Sequence, residues 1–283
     1  MNEPVLTPEF VEREYNNRAL VPDHAEYFAK WAAAAEQARR SVPCHLDLRY
    51  GPGRKETLDL FVPPNARGTV VFVHGGYWRA LDKSDHSWIA PPFVAEGLAV
   101  AVTNYDLCPD VHIDRIVAEQ RQAVAWLNAN AGRYGASMRR VALTGHSAGG
   151  HLVAMLYATG WHAWNVDPRT IVGGTAVSGV FDLRPMKLFS FNADFRLDDE
   201  ATERLSPLAF EPEVSAPLLV AVGALESSEF RRQSQLLWDR WPAVRPREST
   251  GPMLVDGRHH FSVIDALAEP DHVLFRSTVD LFA

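Results

Sequence analysis

The chain has 283 residues, of which 47% are hydrophobic and 22% are charged. That much apolar side chain supplies a core, which excludes disorder along most of the chain. The 28 basic and 35 acidic residues give a net charge of -7. A surface of that sign repels polyanions, so we predict no nucleic-acid partner.

Cysteine content and hydropathy further narrow the class of protein to which the chain can belong. Cys44 and Cys108 are the only cysteines and form no CxxC pair, which argues against a thiolate zinc site or a disulfide framework and fits a reducing compartment. Residues 141–166 contain no Asp, Glu, Lys or Arg and are long enough to span a bilayer. They also contain three histidines and several glycines, which a membrane helix would rarely tolerate. The polar N-terminal sequence does not resemble a signal peptide. We predict a cytoplasmic protein with no membrane partner, and the sequence leaves its oligomeric state open.

The predicted elements begin with a helical segment over residues 1–43. Thr7 and Pro8 combine a capping residue with a proline at the first helical position, which is typical of a helix start. Residues 25–40 are rich in alanine and place larger apolar residues at helical spacing. Pro43 ends the segment.

Short apolar runs then alternate with helical patterns. Residues 46–50 and 57–62 predict an antiparallel hairpin at one edge of a sheet. Continuous apolar runs predict buried strands at 69–73, 98–103, 140–144, 174–178 and 217–222. Helices are predicted at 114–131, 151–158, 229–241 and 272–282. This alternation indicates an α/β fold with a mostly parallel central sheet and helices on both faces.

Residues 182–214 interrupt that alternation. The segment contains Phe189, Phe191 and Phe195 together with several prolines. We interpret it as an insertion over the sheet within a single domain, residues 1–283, rather than as a second domain. Its aromatic residues fit either a small hydrophobic core or a lid over an aromatic substrate.

The strongest chemical signal is a G-x-S-x-G pattern at residues 145–149, between a predicted strand and a predicted helix. The glycines permit a sharp, strained turn that lifts the hydroxyl of Ser147 above the sheet. A helix that starts there points the backbone N–H of Ala148 at a developing negative charge. The context predicts a nucleophilic serine.

A second glycine motif follows the strand at 69–73, with His74, Gly75, Gly76, Tyr77 and Trp78 in succession. A strand that ends in His-Gly-Gly is the oxyanion loop of one esterase branch, because glycine lets bare amides approach a substrate oxygen. We predict that Gly75 or Gly76 contributes an oxyanion N–H. Tyr77 and Trp78 are tentative substrate-binding residues, with plain packing as the alternative, and His74 is interpreted as a brace for the loop.

These motifs resemble those of the α/β-hydrolase fold and, within it, of the serine-dependent kynurenine formamidases (arylformamidases). That family is marked by His-Gly-Gly-x-Trp, matched at 74–78, and by Gly-His-Ser-Ala-Gly-Gly, matched at 145–150. Residues 14–18 and 229–234 are also similar to family segments. The resemblance covers nearly the whole chain and implies hydrolysis of an aryl formamide, with N-formyl-kynurenine as the leading substrate.

An acid and a histidine must follow the serine in this fold. Glu226 comes directly after the strand at 217–222, although the family more often has aspartate there, and Glu229 and Asp256 are the alternatives. His259 and His260 are both candidates for the base. The resemblance favours His260, because the family's histidine precedes a phenylalanine.

Two other classes of function use, or fail to use, the same residues. Related esterases share both glycine motifs, so a carboxylesterase or an aryl-amide or carbamate hydrolase would use the same residues on a small-molecule substrate. A catalytically silent binding module usually lacks the serine or the histidine, and both are present here. His151 is interpreted as a packed helix residue. The chain has no phosphate-binding loop, dinucleotide fingerprint or metalloprotease motif, so we predict no metal and no organic cofactor.

Overall fold

A computed structural model describes residues 4–283. Within that range the strands are β1 (Cys44–Arg49), β2 (Thr57–Phe61), β3 (Thr69–Val73), β4 (Ala99–Thr103), β5 (Val141–His146), β6 (Ile171–Val177), β7 (Leu218–Gly223) and β8 (Met253–Val255). The α-helices are α1 (Pro8–Tyr15), α2 (Asn17–Leu20), α3 (His24–Ser41), α4 (Ala90–Ala95), α5 (Ile113–Asn130), α6 (Ala148–Tyr157), α7 (Asn192–Phe195), α8 (Asp199–Leu205), α9 (Ser228–Arg240) and α10 (Val273–Asp280). No helix in this range has the length and apolar character that crossing a bilayer requires.

The strands form one sheet in the order β1-β2-β4-β3-β5-β6-β7-β8. Strand β2 is antiparallel to both of its neighbours, and all the other neighbouring pairs are parallel. The predicted hairpin therefore lies at one edge, and the predicted mostly parallel α/β sheet is confirmed. Because parallel strands end at the same edge, the loops that follow them meet there.

Three hydrophobic clusters hold the helices against the sheet. One packs α5, α6 and α9 on one face, and a second packs α3, α4 and α10 on the other. The third lies over the carboxyl edge of the strands and joins α1 to the segment at 182–214. That segment contains α7, α8 and two short 3-10 helices. Both additions to the sheet thus pack above the edge where the strand-end loops meet.

The boundaries differ from the predictions in a few places. Helix α6 begins at Ala148 rather than at 151, since glycines at its start conceal its first turn. Strand β6 begins at Ile171 rather than at 174. The six-residue helix α4 was not predicted, because two prolines in its first turn resemble a loop and six residues show little periodicity. At the N-terminus, Thr7 accepts a hydrogen bond from the N–H of Phe10 and Pro8 opens α1, as predicted, and residues 1–3 of the predicted helical segment lie outside the described range.

Candidate active site

Ser147 lies at the sharp turn between β5 and α6. Its backbone has φ 56° and ψ -119°, a strained conformation for a residue with a side chain. The turn needs glycine at position 149, where an added Cβ would lie 2.0 Å from the carbonyl oxygen of Val73. The N–H of Ser147 donates to the carbonyl of Val177 at 2.8 Å. The sequence therefore holds the serine hydroxyl at the carboxyl edge of the sheet and at the start of a helix.

A chain of hydrogen bonds leads from this hydroxyl to a carboxylate. The Oγ atom of Ser147 lies 3.1 Å from Nε2 of His260, and Nδ1 of His260 lies 2.7 Å from Oε2 of Glu226. The other carboxylate oxygen, Oε1, accepts from the hydroxyl of Ser178 at 2.5 Å and from the N–H of Gly223 at 2.8 Å. All three members of the chain are buried. The arrangement can move a proton from the serine to the imidazole while the carboxylate balances the charge.

The sheet explains why these residues meet. Val73 pairs with Gly145 and Gly223 pairs with Val255, so the loops after β3 and β5 lie side by side, as do those after β7 and β8. The Phe230 ring, 4.6 Å from the imidazole of His260 between ring centroids, limits the rotation of that imidazole.

The alternative residues lie elsewhere. Glu229 is buried and accepts from Nε and Nη2 of Arg232 and from the hydroxyl of Tyr15, while Asp256 is exposed. His259 points to helix α3, with Nε2 3.1 Å from the hydroxyl of Tyr27. Of the candidates for acid and base, the structure brings only Glu226 and His260 to the serine.

The loop after β3 approaches Ser147 closely. An added Cβ on Gly75 would lie 3.0 Å from the Cβ of Ser147, so only glycine leaves this side of the serine open. Among residues 4–283, no hydrogen-bond acceptor is paired with the backbone N–H of Gly76 or of Ala148. His74 is fully buried, with Nδ1 2.8 Å from the carbonyl of Gly75, and its ring stacks on Tyr105 at 4.2 Å. The packing of His74 therefore supports the loop after β3. The N–H groups of Gly76 and Ala148 lie beside the serine without a protein acceptor among the described residues.

A cavity that opens to solvent adjoins Ser147 and His260. Tyr77 lines this cavity, as predicted, but Trp78 does not. The indole of Trp78 is fully buried and donates to Nδ1 of His151 at 3.3 Å, so the expectation that it binds substrate is corrected to one of packing. An aromatic residue beside a core strand offers the same sequence signal for either role.

The insertion at 182–214 contributes one of its phenylalanines to the cavity. Phe191 lines it, whereas Phe189 and Phe195 are buried beneath and pack around Tyr77. Phe189 and Phe195 therefore belong to a small hydrophobic core, and Phe191 faces the cavity.

Sequence reasoning missed the contribution of the N-terminal helices to this cavity. The side chains that line it from α1, α2 and α3 and the turns between them are Asn16, Asn17, Arg18, Phe28 and Trp31. Hydropathy indicates only that this segment is helical. The available signal was the similarity of residues 14–18 to a family segment.

Two buried histidines near the nucleophile hold the surrounding elements in place. His146 donates through Nε2 to the carbonyl of His260 at 2.9 Å, which fixes the loop that carries the imidazole. His151 donates through Nε2 to the carbonyl of Leu205 at 2.7 Å and so connects α6 to α8. Burial lowers the pKa of His146 well below 6.5 and that of His151 to about 4. Both side chains are therefore neutral at physiological pH, with the proton on the Nε2 atom that donates.

Outside this site, three carboxylates lie close together. Glu56, Asp106 and Glu119 place oxygen atoms within 4.8 Å of one another. Burial raises the pKa of Glu119 to about 7. Each carboxylate already has a donor: Arg115 pairs with both glutamates, and the N–H of Lys55 donates to Asp106. The protein's own cations and amides thus account for the cluster.

The sheet, the strained serine turn and the hydrogen-bonded Ser147, His260 and Glu226 define an enzyme of the α/β-hydrolase class. The BD-FAE family matches residues 58–171. The kynurenine formamidase of Salmo salar is 30% identical over 97% of this chain and 94% of its own length, and that of Danio rerio is 30% identical over 86% and 83%. The chain belongs to the kynurenine formamidase family.

A solved structure supports the same fold. A protein from Silicibacter sp. tm1040, provisionally described as a thioesterase, superposes with a TM-score of 0.81. It is 35% identical, and the match covers 95% of this chain and 97% of that one.

Proposed function

We propose that this protein hydrolyses an aryl formamide, with N-formyl-kynurenine as the leading substrate, and that Ser147, His260 and Glu226 are its catalytic residues. The observation that carries the proposal is the continuous hydrogen-bonded chain from Ser147 through His260 to Glu226 beside an aromatic cavity. Membership in the kynurenine formamidase family supports the choice of substrate.

The reaction begins when the hydroxyl oxygen of Ser147 attacks the formyl carbon and its proton passes to Nε2 of His260. Glu226 holds the opposite nitrogen of the imidazole and balances the positive charge that forms. The negative oxygen of the tetrahedral intermediate lies against the N–H groups of Ala148 and of Gly76 or Gly75. Each such donor lowers the barrier by roughly 3–4 kcal/mol.

Collapse of the intermediate breaks the bond between the formyl carbon and the aniline nitrogen. His260 gives its proton to that nitrogen, and the arylamine leaves. Water then attacks the formyl ester on Ser147 with His260 again as the base, and formate is released with the serine restored.

The walls of the site fit an aryl leaving group. Tyr77 and Phe191 supply aromatic surface next to the serine. On the other side, an added Cβ at Gly75 would lie 3.0 Å from the Cβ of Ser147 and 2.9 Å from the carbonyl oxygen of His146. Glycine at this position therefore keeps the side of the serine that faces the loop after β3 open to the formyl group.

Ester hydrolysis is the second candidate, because the provisional thioesterase shares the fold at 35% identity and the same three residues would cleave an ester. Turnover of N-formyl-kynurenine should be compared with that of p-nitrophenyl acetate and butyrate. A kcat/KM at least tenfold higher for the formamide supports the proposal, and efficient ester cleavage without formamide cleavage contradicts it. Labelling of Ser147 by a fluorophosphonate probe reports independently whether the serine is activated.

A further inference from the structure

Asn17, the first residue of α2, lies in the wall of the active-site cavity and has an unsatisfied side-chain donor. The side chain of Asn17 is buried, and its Nδ2 has no hydrogen-bond partner among residues 4–283. Asn17 lines the cavity that contains Ser147 and also borders a solvent groove behind α2. A buried amide without an acceptor destabilises a fold. Its presence at the cavity therefore points to an acceptor on a bound molecule.

The next residue places a positive charge at the same wall. Arg18 is exposed, lines the cavity and lies 5.5 Å from the ring centroid of Phe28. Within the described part of the chain, no carboxylate is paired with it. Arg79, the other arginine that lines the cavity, has a counter-ion: it pairs with Asp194 at 2.5 Å, and its guanidinium lies over the ring of Phe191. Arg18 thus leaves one positive charge at the cavity without a protein counter-ion.

Both residues belong to a segment that is firmly held. The hydroxyl of Tyr77 donates to the carbonyl of Tyr15 at 2.6 Å, and the hydroxyl of Tyr15 donates to Glu229 at 2.8 Å. The side chain of Asn16 caps α2 by accepting from the N–H of Ala19 at 3.2 Å. These contacts fix the backbone that presents Asn17 and Arg18, so little ordering is needed when a ligand binds.

We propose that Arg18 and Asn17 are specificity-determining residues that bind a carboxylate on the substrate. The guanidinium pairs with the carboxylate and the Asn17 amide donates to it or to a neighbouring carbonyl oxygen, while the aromatic ring of the substrate lies against Tyr77 and Phe191. This inference rests on the proposed function and refines it. The preferred substrate is an aryl formamide whose side chain carries a carboxylate, and an aryl formamide without a carboxylate lacks this interaction.

The charge is tested with Arg18→Gln and two substrates, N-formyl-kynurenine and 2'-formamidoacetophenone, which lacks the carboxylate. We expect KM for N-formyl-kynurenine to rise about tenfold, with kcat within about twofold of the wild type and the substrate without a carboxylate unaffected. Arg18→Lys should restore part of the loss. Arg13→Gln is the matched control, since Arg13 is exposed on α1, pairs with Glu14 and does not line the cavity. An equal effect on both substrates, or no effect, overturns the proposal.

Asn17→Leu tests the buried donor. It removes a polar group that has no partner, so the melting temperature should stay equal or rise, while KM for N-formyl-kynurenine increases about fivefold or more. A loss of stability without a change in KM would show that solvent satisfies the amide, and it would remove Asn17 from the proposal.

A separate measurement distinguishes failure of this inference from failure of the proposed function. If the wild type cleaves neither formamide, the proposed function is wrong. The inference is then judged by inhibition of p-nitrophenyl acetate hydrolysis by kynurenine and by 2'-aminoacetophenone. Arg18→Gln should raise the inhibition constant of kynurenine about tenfold and leave that of the neutral ketone unchanged. If the inhibition constant of kynurenine is the same in the wild type and in Arg18→Gln, the inference is wrong.

Discussion

Replacing Glu226 by glutamine exchanges one oxygen for an NH₂ group at the acid end of the hydrogen-bonded chain. The orientation of the new amide is set by its neighbours. The N–H of Gly223 can only donate, at 2.8 Å from Oε1, so the amide oxygen must stay on that side. The NH₂ group then faces Nδ1 of His260, where the carboxylate oxygen lies at 2.7 Å in the wild type.

This orientation selects the wrong tautomer of the imidazole. An NH₂ donor at Nδ1 requires Nδ1 to accept, which places the proton on Nε2 and leaves no lone pair for the hydroxyl of Ser147. Loss of the acid in enzymes with this triad costs on the order of 10⁴-fold in kcat. We expect a decrease of at least about 10²-fold even if a neighbour partly substitutes.

Glu226→Asp retains the charge but shortens the side chain by one carbon–carbon bond, about 1.5 Å, so we expect a smaller decrease in kcat. The assay is steady-state turnover of N-formyl-kynurenine, with folding checked by thermal unfolding. Asp256→Asn is the control, because Asp256 is exposed, and its kcat should stay within about twofold of the wild type. If Glu226→Gln keeps kcat within threefold while Asp256→Asn is crippled, the assignment of the acid is refuted.

Three further predictions concern the nucleophile, the base and stability at low pH. Ser147→Ala should lower kcat by on the order of 10³-fold or more, measured in steady-state assays, with its melting temperature nearly unchanged. His260→Ala should abolish both turnover and fluorophosphonate labelling, whereas His259→Ala should have a mild effect in the same two assays. The pKa of His151 is depressed to about 4 against about 6.5 in an unfolded chain, so this shift leaves stability unchanged above pH 6.5, where both states are neutral. Below pH 6.5 only the unfolded state binds the proton, and the free energy of unfolding decreases by about 1.4 kcal/mol per pH unit as pH falls towards 4. His151→Gln keeps a donor for the carbonyl of Leu205, so denaturant unfolding should show a pH slope smaller by that amount.

Each of these predictions has an outcome that contradicts it. Retained activity in a folded Ser147→Ala protein would exclude the serine as nucleophile. If His259→Ala were inactive and His260→Ala active, the register of the catalytic loop would be wrong by one residue. An unchanged pH slope in His151→Gln would show that His151 is protonated in the native state over this range.

The position of the triad could be predicted because the sheet dictates it. Ser147 and Glu226 each follow a strand that is recognisable as an apolar run, His260 follows the short strand β8, and parallel strands bring the loops after them to one edge. The sequence alone does not decide between Glu226 and Glu229, since only two residues lie between them and both lie near the start of α9. The structure separates them by their partners, His260 for one and Arg232 for the other.

The walls of the cavity could not be predicted in the same way. Asn17 and Arg18 reach the site because Tyr15 docks on Glu229, a contact across 214 residues that leaves no local pattern. Trp78 belongs to a predicted motif, but the choice between lining a cavity and packing against His151 is made by the side chain's neighbours in space. Local periodicity indicates that an element exists and leaves its docking partner undetermined.

The docking of the N-terminal helices has a consequence for how the protein matures on the ribosome. Helix α1 is synthesised first, but the partners of its buried Tyr15 are Glu229 and Gln233, which emerge only after seven strands, β1 to β7, have been made. The apolar face of α1 is therefore exposed to solvent during most of translation. Such long-range closure slows folding and prolongs exposure to aggregation. The serine emerges 113 residues before His260, so a nascent chain cannot hydrolyse anything until the sheet is nearly complete.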